Sequence, residues 1–184
     1  SPPHAERRTA LLECARTHRI ERLAIRAIRV RGDAPQAWFG TATGILDDER
    51  TLAVLDTVRT RELRTVVTTL AGIKGAKPVV FKGAALAHSH YAAPWLRPRL
   101  DTDVLISPSS VGLAFGALEA LGYQRAVSTS GELVLSQAPL TRTDSFGVEH
   151  ALDLHWRIAN WQVIAAVLSH DDVASRAVTL AAAG

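Results

Sequence analysis

Two aspartates interrupt an otherwise apolar segment near the middle of the chain. Residues 100–106 carry Asp101 and Asp103, two residues apart, among apolar residues and one threonine. Such a segment predicts a strand, in which side chains two residues apart point to the same face. Two like charges on one buried face repel, and a divalent cation that binds both carboxylates removes that cost. The pattern therefore indicates a Mg²⁺ or Mn²⁺ site. Two solvated acids on an exposed edge strand are the alternative.

Repulsion within this aspartate pair also predicts the effect of substitutions. Asp101→Asn or Asp103→Asn should abolish a metal-dependent reaction and leave the fold intact or slightly more stable, because one like charge is removed. If the acids were instead paired with Arg97 or Arg99, the same change should destabilise the protein.

A third aspartate occurs in a second apolar segment, where apolar and polar residues alternate from Leu152 to Ile158. Residues 148–158 place Asp153 and His155 on one face of a predicted strand and Leu152 and Leu154 on the other. Asp153 would complete the metal site or accept a proton from an attacking hydroxyl. His155 would orient the acceptor or hydrogen-bond a carboxylate, or it would be an ordinary polar residue of the sheet face.

A glycine follows a short strand candidate upstream of the acidic segment. Val79–Phe81 is apolar and too short for a helix, and it continues into Lys82, Gly83 and Ala84, where a helix is predicted to begin. Glycine at a strand-to-helix junction lets backbone N–H groups approach a phosphate closely. Lys82 would neutralise phosphate charge there, unless it is a surface lysine at a strand end.

Two arginines come shortly before the acidic strand. Arg97 and Arg99 each carry a guanidinium fork that suits the oxygens of a triphosphate. The alternative is that they form salt bridges to the aspartate pair or to surface acids.

Four motifs occur in a fixed order along residues 78–158. They are Lys-Gly-Ala-Ala-Leu-Ala at 82–87, Leu-Arg-Pro-Arg-Leu-Asp-Thr-Asp-Val-Leu-Ile at 96–106, Leu-Gly-Tyr at 121–123 and Leu-Asp-Leu-His-Trp-Arg at 152–157. Together they resemble a family of uncharacterised bacterial nucleotidyltransferases, within the DNA polymerase β-like nucleotidyltransferase superfamily. The resemblance implies a minimal palm, which is a small mixed sheet with helices and metal-binding carboxylates on adjacent strands.

The resemblance also implies roles for individual residues. Asp101 and Asp103 match the metal-binding pair, Asp153 matches the third carboxylate, and Gly83 matches the glycine of the phosphate turn. Ala84 departs from the serine or glycine that usually follows, and the spacing from Gly83 to Asp101 is longer than usual. Taken together with the residue chemistry above, the expected nucleotide-binding residues are Lys82, Gly83, Ala84, Arg97, Arg99 and His155.

The expected activity is transfer of a nucleoside monophosphate from a nucleoside triphosphate such as ATP. The acceptor hydroxyl would belong to a protein, an RNA or a small molecule. The alternative is a weak or inactive member that acts as a binding partner, for example in a toxin–antitoxin pair. A third hypothesis is a regulatory domain that binds nucleotide without turnover.

The elements that must position these residues divide the chain into a helical part, residues 1–75, and an α+β part, residues 76–184. Helices are predicted over residues 5–30, 47–70 and 108–121, with a last one over 161–180 that is either continuous or broken near Asp171 and Asp172. Further strands are predicted over 123–127 and 133–135. The predicted fold class is thus α+β, a helical N-terminal part followed by a palm with a small mixed sheet.

Composition excludes several classes of protein. The 184 residues include a single cysteine, Cys14, so no intrachain disulfide can form, and we expect this residue to be buried. No apolar run approaches the roughly 20 residues of a membrane span, and a cytoplasmic protein is expected.

Positive charge is concentrated at the N-terminus. The first 31 residues hold eight arginines against three glutamates. Arg19, Arg22, Arg26 and Arg29 recur at helical spacing, and such a face would bind an acidic protein or RNA partner, or would simply be solvated.

Overall fold

The computed structural model describes residues 4–39, 49–125, 136–158 and 167–180. The chain forms two compact units. The first comprises Ser1–Val58 and His90–Pro98, and the second comprises Arg59–Ser89 and Arg99–Gly184. The boundary proposed from the sequence, between residues 75 and 76, stays a prediction about domains.

In the described part of the chain, four helices precede the first strand, and helices and strands are then interspersed along the sheet region. The helices are α1 (Ala5–Thr17), α2 (Glu21–Val30), α3 (Pro35–Phe39), α4 (Glu49–Ala71), α5 (Lys82–His90), α6 (Val111–Ala120) and α7 (His170–Ser175). The strands are β1 (Val79–Phe81), β2 (Thr102–Leu105), β3 (Gln124–Arg125), β4 (Gln137–Thr143) and β5 (Glu149–His155). The predicted α+β class, with N-terminal helices followed by one small mixed sheet, is confirmed.

The first helical segment is interrupted, and the prediction of one helix over residues 5–30 is wrong. Arg19 has a φ of 54°, in the left-handed region that a right-handed helix cannot include. The chain therefore turns between α1 and α2, whose buried Leu12, Ile25 and Ile28 form a small core with Phe39. Cys14 is exposed, so the expectation that it is buried is also wrong.

The sheet of the second unit has the strand order β1-β2-β5-β4-β3. Strands β2 and β5 are parallel, and the other neighbours are antiparallel. The register places Asp103 opposite Asp153 on one side and opposite Phe81 on the other. Because residues in register point to the same face, the carboxyl groups of Asp103 and Asp153 share one face of the sheet.

The other face of the sheet carries the main core. Its buried residues from β2 and β5 are Val104, Leu152 and Leu154. They pack with α4 and α6, which contribute Val66, Leu70, Ala114, Phe115 and Leu118. The alternation predicted for β5 therefore holds, and it leaves the opposite face to the polar residues of the candidate site.

Strand β4 differs from the sequence-based prediction, which places no strand over residues 137–143. Pro139 lies in the interior of β4, where proline removes a donor. Pairing with β5 at seven positions overrides that local preference. The predicted strand over 133–135 lies outside the described residues.

The helix predicted over residues 161–180 is not continuous, because Val167 is helical and residues 168 and 169 are not. Residues 159–166 lie outside the described part, and α7 begins only after Ser169, whose side chain forms a capping box with Asp172. The chain from Ala177 to Leu180 is not helical. No helix in the described ranges is long and apolar enough to cross a bilayer.

Candidate active site on strands β1, β2 and β5

Asp103 on β2 is the centre of the polar cluster. Its side chain is only 6% exposed, and its Oδ1 lies 2.6 Å from Lys82 Nζ and 2.9 Å from His155 Nε2. Because an ionised carboxylate can only accept, the imidazole Nε2–H donates to it. One buried oxygen thus receives hydrogen bonds from two side chains on the neighbouring elements.

The charge of Asp103 is well compensated. Burial alone would raise the pKa of its carboxyl, but the hydrogen bonds from His155 and Lys82 outweigh burial and lower that pKa below the ordinary 3.8. Asp103 is therefore held as a carboxylate inside the sheet.

Asp153 on β5 has the opposite balance. Burial raises the pKa of its carboxyl, and the charges of Asp101 and Asp103 raise it further, against the attraction of His155 and Lys82. The protein alone therefore does not fully compensate the negative charge of the Asp153 carboxylate.

Three side chains of this cluster could hold a metal ion. Ligand atoms of Asp103, Asp153 and His155 all lie within 4.8 Å of one another. Carboxylate oxygens suit Mg²⁺ and Mn²⁺, and an imidazole ligand is tolerated better by Mn²⁺ than by Mg²⁺. Both the donor types and the uncompensated charge of Asp153 fit a divalent cation.

Asp101 stands apart from those three residues. It is exposed in the coil just before Thr102, where β2 begins. Its charge nevertheless raises the pKa of Asp153, so it lies within electrostatic reach. The sequence predicted Asp101, Asp103 and Asp153 as the metal-binding carboxylates, and the structure brings Asp103 and Asp153 together with His155.

Phe81 supports both donors and was not singled out from the sequence. Its ring packs edge-on against His155, with centroids 4.9 Å apart, and Lys82 Nζ lies 5.0 Å from the same ring centroid. The signal was present, since Phe81 ends the predicted strand immediately before Lys82, but only the register with Asp103 shows what the ring contacts.

The strand-to-helix turn lies beside Asp103, because Lys82 at this turn contacts the Asp103 carboxylate. Lys82 itself has a φ of 51°, whereas Gly83 is outside the left-handed region. A Cβ added to Gly83 would meet no atom within 4 Å, so open space adjoins the start of α5. Ala84 is completely buried and offers a nucleotide no surface.

The two predicted phosphate-binding arginines belong to different units. Arg97 is in the first unit, where its Nη1 donates to Tyr91 Oη at 3.1 Å. Arg99 is in the second unit, largely buried, and its carbonyl oxygen accepts from Arg59 at 3.4 Å. Their roles at a nucleotide stay predictions.

Some arginines on the face of the N-terminal helices form contacts within the first unit. Arg22 donates to the carbonyl of Trp95 at 2.7 Å, and Arg29 forms an ion pair with Glu49 at 2.9 Å. Arg19 lies between α1 and α2 rather than on a helix. The face therefore has fewer arginines available for a partner than the helical spacing suggested.

A small mixed sheet with carboxylates on adjacent strands, next to a lysine–glycine turn, is the arrangement that the resemblance implied for a nucleotidyltransferase. A family model of uncharacterised nucleotidyltransferases matches residues 4–184. The chain belongs to this family, and the match includes the helical N-terminal part, which carried no motif. No curated protein matches the chain.

Proposed function

We propose that this protein catalyses metal-dependent transfer of a nucleoside monophosphate from a nucleoside triphosphate to a hydroxyl acceptor. The observation that carries the proposal is the register of β2 and β5, which puts Asp103 directly opposite Asp153. Membership of the family supports nucleotidyl transfer in general. A pair of facing carboxylates with one incompletely compensated charge supports a divalent cation as the missing partner.

Asp103 and Asp153 are the residues we assign to hold Mg²⁺ or Mn²⁺, with Asp101 as a further carboxylate nearby. When bound, the ion would neutralise charge on the phosphates and on the oxygens of the transferring group. His155 is assigned as a positioning residue, because its Nε2 already holds Asp103 Oδ1 in place. Of the roles expected for His155 from the sequence, this one is the hydrogen bond to a carboxylate, and its contact with a nucleotide or acceptor stays a prediction.

Lys82 and Gly83 are assigned to the phosphates of the nucleotide. They open the nine-residue helix α5, and the first N–H groups of a helix attract anions. The open space at Gly83 leaves room for a phosphate to approach the backbone. Arg99 remains a candidate for the outer phosphates, because a guanidinium fork suits triphosphate oxygens, and the role of Arg97 stays a prediction from the sequence.

Asp153 has a second task in this proposal. As the acceptor oxygen forms its bond to the α-phosphorus, the hydroxyl proton passes to an Asp153 carboxylate oxygen, and the bond to pyrophosphate breaks. A carboxyl with a raised pKa is a better base for this step than one with an ordinary pKa. The acceptor remains open among a protein, an RNA and a small molecule.

One observation favours an inactive binding protein instead. Asp103 already accepts hydrogen bonds from Lys82 and His155, which is a self-contained arrangement. Ala84 also offers neither a hydroxyl nor exposed surface. In that case the site would bind a nucleotide without turnover, or the protein would serve a protein or RNA partner.

Labelled transfer distinguishes the two proposals. The protein is incubated with each α-labelled nucleoside triphosphate, Mg²⁺ or Mn²⁺, and separate protein, RNA and small-molecule fractions. We expect transferred label with the wild type and with Asp171→Asn, a matched exposed aspartate paired with Lys77. Label should be lost with Asp153→Asn. Transfer that survives both Asp103→Asn and Asp153→Asn would exclude this site as the catalyst.

A further inference from the structure

The ion pair between Lys82 and Asp103 joins a solvent-accessible cation to a buried anion. The lysine side chain is 51% exposed and the aspartate side chain 6% exposed. The Nζ–Oδ1 distance of 2.6 Å is short even for a charge-assisted hydrogen bond. The ammonium therefore lies at the solvent side of the carboxylate that we assign to the metal.

Backbone and ring contacts hold Lys82 in this position. Its φ of 51° is sparsely populated for a residue other than glycine, which indicates that the surrounding structure fixes it. The Phe81 ring faces the ammonium at 5.0 Å and further favours a cation there. Lys82 is thus positioned on Asp103 rather than sampling solvent.

A metal ion and this ammonium would repel each other at the same carboxylate. Two cations a few ångströms apart in a partly desolvated site interact unfavourably, and water screens them only in part. The ammonium must therefore leave Asp103 Oδ1, or metal binding must be weakened by its presence.

We propose that Lys82 is a built-in competitor of the metal ion at Asp103. Without nucleotide, its ammonium occupies the carboxylate and keeps metal affinity low. The phosphates of an incoming nucleotide then attract the ammonium away, so metal and nucleotide bind with positive cooperativity. This inference rests on the proposed metal and phosphate site. It adds that the phosphates of the nucleotide draw the Lys82 ammonium away before the metal ion binds tightly.

A second lysine–aspartate pair provides the matched control. Lys77 also has a left-handed backbone, with a φ of 42°, and its Nζ lies 3.2 Å from Asp171 Oδ1. Both side chains of this pair are mostly exposed, at 64% and 78%. Removing the charge of Lys77 should therefore leave metal binding at Asp103 unchanged.

The test is Mn²⁺ binding in the absence of nucleotide, measured by electron paramagnetic resonance and calorimetry. We expect Lys82→Met and Lys82→Gln to bind Mn²⁺ at least about fivefold more tightly than the wild type, a coupling of ordinary size. Lys82→Arg, which keeps the charge, should stay near the wild-type affinity, as should Lys77→Met. Both uncharged variants are made so that the result does not depend on a single variant, which could fold poorly. Circular dichroism checks the fold of each.

The results separate this inference from the proposed function. If Asp103→Asn loses Mn²⁺ while the uncharged Lys82 variants bind it no more tightly than the wild type, the metal site stands and the competition is overturned. If neither the wild type nor the Lys82 variants bind Mn²⁺ in a way that depends on Asp103 and Asp153, both proposals are overturned.

Discussion

Asp103 and Asp153 lie directly opposite each other on parallel strands, yet the pKa values of their carboxyl groups shift in opposite directions. Lys82 and His155 each donate a hydrogen bond to Asp103, whereas Asp153 is half-buried beside two other carboxylates. The two aspartates should therefore contribute to stability with opposite signs. The charge of Asp103 therefore stabilises the fold, whereas the charge of Asp153 destabilises it.

Substitution of each aspartate in metal-free protein should show this difference. Asp103→Asn should lower the free energy of unfolding by about 2 kcal/mol, because Lys82 and His155 lose their charged acceptor. Asp153→Asn should raise it by roughly 0.5–1 kcal/mol, after allowance for solvent screening. Urea unfolding with a chelator measures both, with Asp171→Asn as the control near zero.

This first prediction revises the expectation from sequence, in which Asp103→Asn was to leave the fold intact or more stable. The partner that changes the sign is Lys82, and neither Arg97 nor Arg99 is needed for it. Equal effects of Asp103→Asn and Asp153→Asn on stability would contradict the electrostatic difference. Loss of stability in Asp103→Asn does not by itself remove that residue from the metal site.

The pH dependence of stability should separate the same two residues. The folded-state pKa of Asp153 is above 3.8, so its penalty is present at neutral pH and disappears as the pH falls through that pKa. The gain from Asp153→Asn should accordingly shrink between about pH 7 and about pH 4. Thermal melts of the chelated proteins across this range measure it.

Asp103 should behave in the opposite way. Its folded-state pKa is below 3.8, so its contribution is fully present above 3.8 and is lost only as the pH falls further. The deficit of Asp103→Asn should thus stay constant between about pH 7 and about pH 5. A deficit that shrinks in this range would mean that Asp103 is not held as a carboxylate.

The sequence was sufficient to predict which side chains share a face, because strand alternation is local. The alternation around Asp153 and His155 depends on it, whereas Asp101 lies in the coil before β2, so the face that it was expected to share with Asp103 stays a prediction. Which strands are neighbours is a tertiary property, and the parallel pairing of β2 with β5 could not be read from either segment alone. That pairing is what joins Asp103 to Asp153.

Two features of the site were hidden for other reasons. The left-handed backbone of Lys82 has no sequence signal, because lysine rarely adopts a positive φ and glycine is the residue that does so at no steric cost. Strand β4 was hidden by Pro139, whose local preference is overridden by long pairing with β5. Local rules therefore predicted the residues of the site but not the contacts that determine their charges.

An ion pair outside the site provides a prediction about stability alone. Arg142 on β4 lies 2.7 Å from Glu62 of α4, and Tyr123 donates to the same glutamate at 2.9 Å. Arg142→Met should cost about 2 kcal/mol of unfolding free energy, because it leaves the mostly buried Glu62 carboxylate without its counter-charge. Urea unfolding measures the cost, and Lys77→Met, which breaks an exposed pair, should change stability by less than about 0.5 kcal/mol.

Because Arg142 and Tyr123 direct these hydrogen bonds to Glu62 and not to Asp103 or Asp153, Arg142→Met should keep the Mn²⁺ affinity of the wild type at a temperature where it is folded. A large loss of Mn²⁺ affinity with an intact fold would link the Glu62 cluster to the metal site.

The turn at Gly83 gives the most direct test of phosphate binding. Gly83→Ala should leave the fold intact or stabilise it by up to about 1 kcal/mol, because its φ is ordinary, a Cβ there meets nothing, and alanine favours helices. The new methyl group would, however, fill the space through which a phosphate approaches the backbone. Nucleotide affinity should therefore fall by about tenfold, or about 1.4 kcal/mol.

Gly116→Ala in α6 is the matched control, since Gly116 is also helical with open space around its Cα. Calorimetric titration with a nucleoside triphosphate and Mn²⁺ measures affinity, and thermal melting measures stability. Unchanged affinity in Gly83→Ala would mean that the phosphates bind elsewhere, and a drop in stability relative to Gly116→Ala would mean that the turn is more crowded than its open space indicates.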